Sequence, residues 1–191
     1  MSKTNLKLIV VTILLSMFIT GCAVRNESNI NTFVITNNNI NNKSIKINFK
    51  GVYDKRDTKI VSTIINDKET TNQYSINVDL KRWYEDAFQK ELKSHKMYAL
   101  TGESNIDITV NIKLLKASYE KFTIKKDNLK ANVSIELIAK KDDTTHTINI
   151  NLNQSTYKPL VIDAQSFDSI LNEILISSVS QSITKIISKF Y

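Results

Sequence analysis

Apolar and polar residues alternate with a period of two along several stretches of the chain, as in strands with one buried face. The clearest run is Ile106 to Leu114, whose apolar face holds Ile106, Ile108, Val110, Ile112 and Leu114. Four other runs share this β-rich character: 45–49, 59–65, 129–137 and 148–152. We therefore expect five strands in a sheet with one apolar and one polar face, which is typical of antiparallel pairing.

Two other stretches carry apolar residues at helical spacing. The first runs from Leu80 to Leu92 and follows Asp79, a residue suited to an N-cap. The second runs from Phe167 to Phe190, and Asp163 or Ser166 would cap it. Because a one-sided sheet must bury its apolar face, we expect both helices to cover it.

These elements predict an α+β fold with a two-layer, mainly antiparallel sheet covered on one face by two helices. The predicted order is β-β-α-β-β-β-α. About 150 residues suit one domain, and we assign it to residues 45–191.

The N-terminus has the organisation of a secretory signal. Lys3 and Lys7 precede an apolar run from Leu8 to Ile19 that is shorter than the roughly 20 residues of a membrane-spanning helix. Ile19, Thr20 and Gly21 then precede Cys22, the chain's only cysteine. This pattern resembles the lipobox of bacterial lipoproteins, which implies removal of residues 1–21 and acylation of Cys22. The alternative is an ordinary signal peptide with an incidental cysteine.

The mature chain would begin with a lipid anchor and a polar tether. Acylation with more than one chain gives stable membrane attachment, and Ala23 after the cysteine resembles the sorting rule for export to the outer membrane. We predict a tether at residues 22–44, because residues 26–44 are rich in Asn and bury little, with a short strand at Thr32–Thr36. Loss of Lys3 and Lys7 lowers the net charge from +7 to +5.

A family resemblance covers nearly the whole mature chain. Its elements are "GVYDKRD" after a first strand, the helix "VDLKRWYEDAFQKELKSHKM", the strand "IDITVNIKLL" followed by "KASYEK", two further strands and a C-terminal helix. Together they resemble the YajG family of bacterial lipoproteins. The resemblance implies an envelope location and this fold, and it implies no particular reaction.

The sharpest local motif is Asp54-Lys55-Arg56 at the exit of the first predicted strand. The arginine of this pair offers a two-pronged contact to a ligand carboxylate or phosphate. Alternatively, Asp54 caps a turn while Arg56 pairs with it or with Asp57 on the surface.

Catalytic and metal motifs are not found in the sequence. His95 and His146 have no H-x-x-x-H or C-x-x-C partners, and no G-x-S-x-G elbow or glycine-rich phosphate loop occurs. We expect a protein that is not an enzyme, with no catalytic residues, metal or cofactor.

A lysine-rich hairpin is the remaining surface feature. Tyr119 and Phe122 are expected at its tip, and its lysines are Lys113, Lys116, Lys121, Lys125, Lys126 and Lys130. Lys121, Lys125 and Lys126 are candidate contacts to anionic headgroups or an acidic partner, although a solvated hairpin explains the same residues. Nucleic acid is not expected as a partner of an exported, tethered domain.

Two classes of function follow. The first is a structural or accessory lipoprotein that docks onto an envelope protein assembly through the polar face or free edge of its sheet. The second is a carrier of lipid or another small ligand, resembling auxiliary lipoproteins of lipid-transport systems, with a cavity under Trp83 and Phe88.

Overall fold

The computed structural model describes residues 26–35, 45–66, 69–100, 102, 104–121, 128–157 and 162–190. Within these ranges the protein has a sheet of seven strands and two helices, which confirms the α+β class. The strands are β1 (Glu27–Ser28), β2 (Ile47–Asp54), β3 (Ser62–Asn66), β4 (Glu69–Ile76), β5 (Ile106–Lys121), β6 (Asn128–Lys141) and β7 (Thr144–Tyr157). The helices are α1 (Leu80–Ser94) and α2 (Asp168–Phe190), the latter preceded by a short 3-10 turn at Ala164–Phe167.

The long strand β5 organises the sheet. The strand order is β1-β4-β3-β5-β6-β7, and β2 also pairs with β5. The pairs β3–β4, β5–β6 and β6–β7 are antiparallel, whereas β1–β4, β2–β5 and β3–β5 are parallel. Strands β2 and β3 lie end to end along one edge of β5, and β6 follows its other edge.

Both helices pack against the apolar face, as the amphipathic stripes predict. Helix α1 contacts β2, and α2 contacts β6 and β7. The predicted cap of α1 forms, because Asp79 accepts a hydrogen bond of 3.2 Å from the amide of Arg82. Asp163 and Ser166 form a reciprocal capping box at the 3-10 turn before α2 and not at α2 itself.

One predicted core position is wrong. A β-bulge between Ile112 and Leu114 shifts the alternation of β5 by one residue. Leu114 therefore points to the polar face, where 41% of it is exposed, and Leu115 enters the core in its place. A bulge changes which face each later residue occupies, so the alternation after Ile112 misassigns the next position.

The N-terminal segment packs on the domain, contrary to the expectation that residues 26–44 bury little. Ile30 and Phe33 are buried in the core, and the Phe33 ring meets the Trp83 ring edge-on at a centroid distance of 5.9 Å. The short strand is β1 at Glu27–Ser28, whereas residues 32–35 are not a strand and Thr36 lies outside the described residues. We call residues 27–33 the strap.

Side chains from α1, α2 and the β4–α1 connection hold the backbone of the strap. The Asn31 amide donates to Oδ1 of Asn172 at 2.7 Å, and Nδ2 of Asn172 donates to the Asn29 carbonyl at 2.8 Å. The Ile30 amide donates to Oδ1 of Asn77, and Nε1 of Trp83 donates to the Asn31 carbonyl at 2.7 Å. The strap is therefore part of the folded domain.

In the described part of the chain, none of the helices combines the length and apolar character needed to cross a bilayer.

Candidate functional site

A gap in strand pairing lies along one edge of β5. Strand β2 pairs with β5 as far as Ile112, and β3 begins to pair at Ala117. The loop 55–61 spans the interval, held by the Lys55 amide donating to the Ile112 carbonyl and the Ala117 amide donating to the Val61 carbonyl. This loop carries the Asp54–Arg56 motif at its start, so we call the region the gap site.

Asp54 and Arg56 form a two-pronged ion pair. Nε of Arg56 donates to Oδ1 of Asp54 and Nη2 donates to Oδ2, each at 2.8 Å. The Arg56 amide also donates to Oδ1 of Asp54 at 3.3 Å. The hydrogen bonds from Arg56 hold the pKa of Asp54 below its usual range, against a smaller opposing effect of burial. The two side chains thus pair with each other, one of the two alternatives left by the sequence.

The guanidinium of this pair is buried rather than displayed. Only 7% of the Arg56 side chain is exposed, compared with 30% of the Asp54 side chain. Nη1 of Arg56 is buried and has no hydrogen-bond partner among the described residues. The pair therefore has an exposed carboxylate edge and an enclosed cation, an arrangement suited to shaping the loop more than to capturing a ligand in solution.

A polar cluster adjoins the gap site on the outer face of the sheet. Asn111 is buried and donates from Nδ2 to Oε1 of Glu136 at 2.7 Å, and Nζ of Lys113 lies 3.1 Å from the same oxygen. The Asn111 hydrogen bond, followed by that of Lys113, lowers the pKa of Glu136. Sequence reasoning missed this cluster because it joins neighbouring strands across the sheet.

Exposed apolar side chains surround the same region. Tyr53 lies at the end of β2, Ile60 in the connecting loop and Leu114 in β5, and all three are exposed. Tyr53 lies opposite Asn111 in the sheet register.

The lysine-rich hairpin differs from its prediction. Strand β5 extends to Lys121, and Tyr119 is paired with Leu129 and buried in the core instead of standing at a tip. Lys121 is exposed, as are Lys116 and Lys130. Phe122, Lys125 and Lys126 lie outside the described residues.

A buried pair at the C-terminal end of α1 was not anticipated. His95 and Glu91 stand one helical turn apart, both buried, with Nε2 of His95 3.5 Å from Oε1 of Glu91. Their i, i+4 spacing was a signal that the sequence already contained. His146 instead meets the Phe190 ring edge-on. Within the described ranges, no three His, Cys, Asp or Glu side chains cluster as a metal site would require.

Among the described residues, buried aromatic side chains pack together in the interior near Trp83 and Phe88. Phe88 is buried and stacks on Phe49 at a centroid distance of 5.7 Å, and Tyr84 is buried beside it with its hydroxyl 2.9 Å from Oγ of Ser178. Burial raises the pKa of Tyr84. An open groove of about 440 Å³ lies outside Trp83, and its lining includes the charged residues Asp79, Arg82 and Asp86.

The predicted lipidation site, Cys22 with Ile19, Thr20 and Gly21, lies outside the described residues.

A family model matches most of the chain. The model, Lipoprotein_16, describes uncharacterized lipoproteins and covers residues 32–185. The protein therefore belongs to this lipoprotein family. No curated protein matches the chain.

Several solved structures are similar to this chain. A crystal structure of an uncharacterized protein aligns with a TM-score of 0.56 at 9% identity, covering 87% of this chain and 100% of that chain. Protein XCC0632 from Xanthomonas campestris, of family DUF330, aligns with a TM-score of 0.52 at 9% identity, covering 82% and 98%. The rare lipoprotein B from Shewanella oneidensis gives 0.42 at 9% identity, covering 67% and 94%. At such identities the first two likenesses concern the fold alone.

Proposed function

We propose that this protein is a non-catalytic accessory lipoprotein of the cell envelope, anchored by acylated Cys22 and acting by docking onto an envelope protein assembly. Membership of a lipoprotein family supports the anchor. Ala23 after the cysteine favours the outer membrane with the domain in the periplasm, and the element order supports a kinship with YajG lipoproteins.

The observation that carries the docking role is the uncovered side of the sheet. Both helices lie on the apolar face, so the opposite face of β6 and β7 has no layer over it in the described part of the chain. Strand β7 also ends the strand order, which leaves one of its edges without a strand partner among the described strands. Its exposed outward residues are Thr145, Thr147, Asn149, Asn151, Asn153 and Ser155.

An edge of this kind suits a protein partner. A strand edge presents a row of N–H and C=O groups that an extended segment can pair with, and outward side chains then give specificity. Nζ of Lys185 in α2 donates a hydrogen bond of 2.8 Å to the carbonyl of Asn149 in β7. The uncharged character of the outward residues favours hydrogen bonding over charge attraction as the means of recognition.

Site-specific crosslinking in cells tests this role. A photoreactive amino acid at Thr147, Asn151 or Ser155 should give one recurrent crosslinked envelope protein, whereas the same probe at exposed Lys81 on α1 should not. Equal crosslinking from Lys81, or no crosslinked protein from β7, would refute docking through this side of the sheet.

The carrier role is the alternative, and it receives less support. Phe88 and Tyr84 are fully buried against neighbouring rings, and the groove beside Trp83 is open and partly charged. Lipid analysis of the protein purified in mild detergent separates the two roles, because bound lipid without a protein partner would favour the carrier.

A further inference from the structure

The strap leaves only a short tether between the folded domain and the proposed anchor. Ala23, Val24 and Arg25 are the residues between Cys22 and Asn26. A chain spans at most about 3.6 Å per residue, so the Cα of Cys22 can lie no more than about 18 Å from that of Glu27 in β1. The anchor is therefore confined to one neighbourhood of the domain surface.

Strand register shows which part of the surface that is. Glu27 of β1 pairs with Ser75 of β4, the residue after Tyr74. Tyr74 pairs with Ser62 of β3, and Ser62 pairs with Ala117 of β5. Because β1 runs parallel to β4, the chain enters β1 from the side on which β4 begins, at Glu69.

The two ends of the sheet lie at different distances from the Glu27–Ser75 pair. One end, which we call the hairpin end, holds the paired residues Asn66, Glu69 and Lys121. Ser75 lies one residue farther from this end than Tyr74, so its corresponding position on β5 is Lys116. From Lys116 it is five residues along β5 to Lys121, or about 16 Å, and nine residues to Asp107 at the other end, or about 30 Å. A reach of about 18 Å includes the hairpin end and excludes the opposite one.

We propose that the hairpin end rests on the surface of the phospholipid bilayer into which the acyl chains of Cys22 insert. This inference depends on the proposed acylation. Lys121 is exposed at this end, and Lys130 is exposed farther along the sheet, opposite Ser118. Their ammonium groups suit contact with lipid phosphates. The turn between β6 and β7, at Asp142 and Asp143, then lies farthest from the membrane.

Energy transfer to the bilayer tests this orientation. Full-length acylated protein is placed in vesicles of phosphatidylethanolamine and phosphatidylglycerol that contain an acceptor-labelled lipid. A donor dye is attached through Lys121→Cys or, as the matched control, through Asp143→Cys. These positions lie at opposite ends of strands about 46 Å long, so we expect efficient transfer from position 121 and little from position 143.

A variant with a longer tether tests whether the short tether causes this orientation. A flexible insert of about 20 Gly and Ser residues after Val24 adds a root-mean-square reach of about 25 Å, and we expect it to reduce the contrast between the two positions. If the difference in energy transfer between positions 121 and 143 stays unchanged, the short tether is not the cause of the orientation.

The outcomes separate this inference from the anchor on which it depends. Mass spectrometry of the same preparations reports whether Cys22 is acylated. Acylated protein with equal transfer from both positions would overturn the orientation and leave the anchor standing. Unmodified Cys22 would overturn the proposed anchor and the orientation together.

Discussion

Replacing Asp54 by Ala tests the enclosed ion pair of the gap site. The substitution removes both 2.8 Å contacts to Arg56, whose Nη1 already has no partner among the described residues. A guanidinium that is 7% exposed would then be left without its counter-ion. The predicted result is a loss of folding stability well above that of a surface pair.

The magnitude follows from how far each partner is buried. Breaking a fully buried pair by removing one member costs about 3–5 kcal/mol, and exposed pairs contribute about 0–1 kcal/mol. Because the Asp54 side chain is 30% exposed, we expect a cost between these limits, about 2–3 kcal/mol. Arg56→Met should cost less, about 1 kcal/mol, because it removes the buried charge together with its unpaired nitrogen.

The coupling energy between Asp54 and Arg56 is measured by urea unfolding of the chain from Asn26 onward. The wild type, both single variants and the double variant are compared. We expect a coupling of about 2 kcal/mol. Asp57→Ala is the matched control, since this neighbouring carboxylate is exposed and should change stability by less than about 0.5 kcal/mol. A cost below about 1 kcal/mol for Asp54→Ala, with coupling near zero, would refute the enclosed pair.

Three further predictions concern the strap and pH. Phe33→Ala should cost about 3 kcal/mol in urea unfolding because it empties a buried ring site against Trp83; a loss no larger than that of exposed Val34→Ala would contradict strap docking. Asn172→Ala should speed hydrogen exchange of the Asn31 amide while β6 stays protected; unchanged exchange would refute the contact. The lowered pKa of Asp54 means that its contribution to stability is present above the ordinary value of 3.8 and lost as pH falls through the folded value. The stability gap between wild type and Asp54→Ala should therefore narrow below about pH 4, and a constant gap would contradict the pairing.

Side-chain periodicity predicted the elements whose two faces differ most. Strands β5 to β7 and both helices carry apolar residues on one face only, and they appear where the sequence placed them. Strand β4 escaped prediction because "ETTNQ", its first five residues, is exposed and polar, so no alternation marks it. The side chain of Leu114 points outward because of a β-bulge, and the spacing of apolar residues does not reveal that bulge.

Long-range contacts explain what the sequence could not predict about the site. Asp54 and Arg56 are two residues apart, so their pairing was predictable, but the enclosure of the Arg56 guanidinium depends on how the folded chain packs around it. Asn172 binds the strap across 141 residues of chain, and the link between Asn111 and Glu136 depends on strand register. The Asn-rich composition of the strap region did not indicate docking, because Asn29 and Asn31 join the strap to Asn172 through backbone groups.

Acylation of Cys22 is tested most directly by mass spectrometry of the mature N-terminus of the protein, after purification from the membranes of the native cell. We expect a chain that begins at Cys22 and carries a thioether-linked diacylglycerol. An intact Met1, or a chain with an unmodified Cys22 thiol, would contradict it.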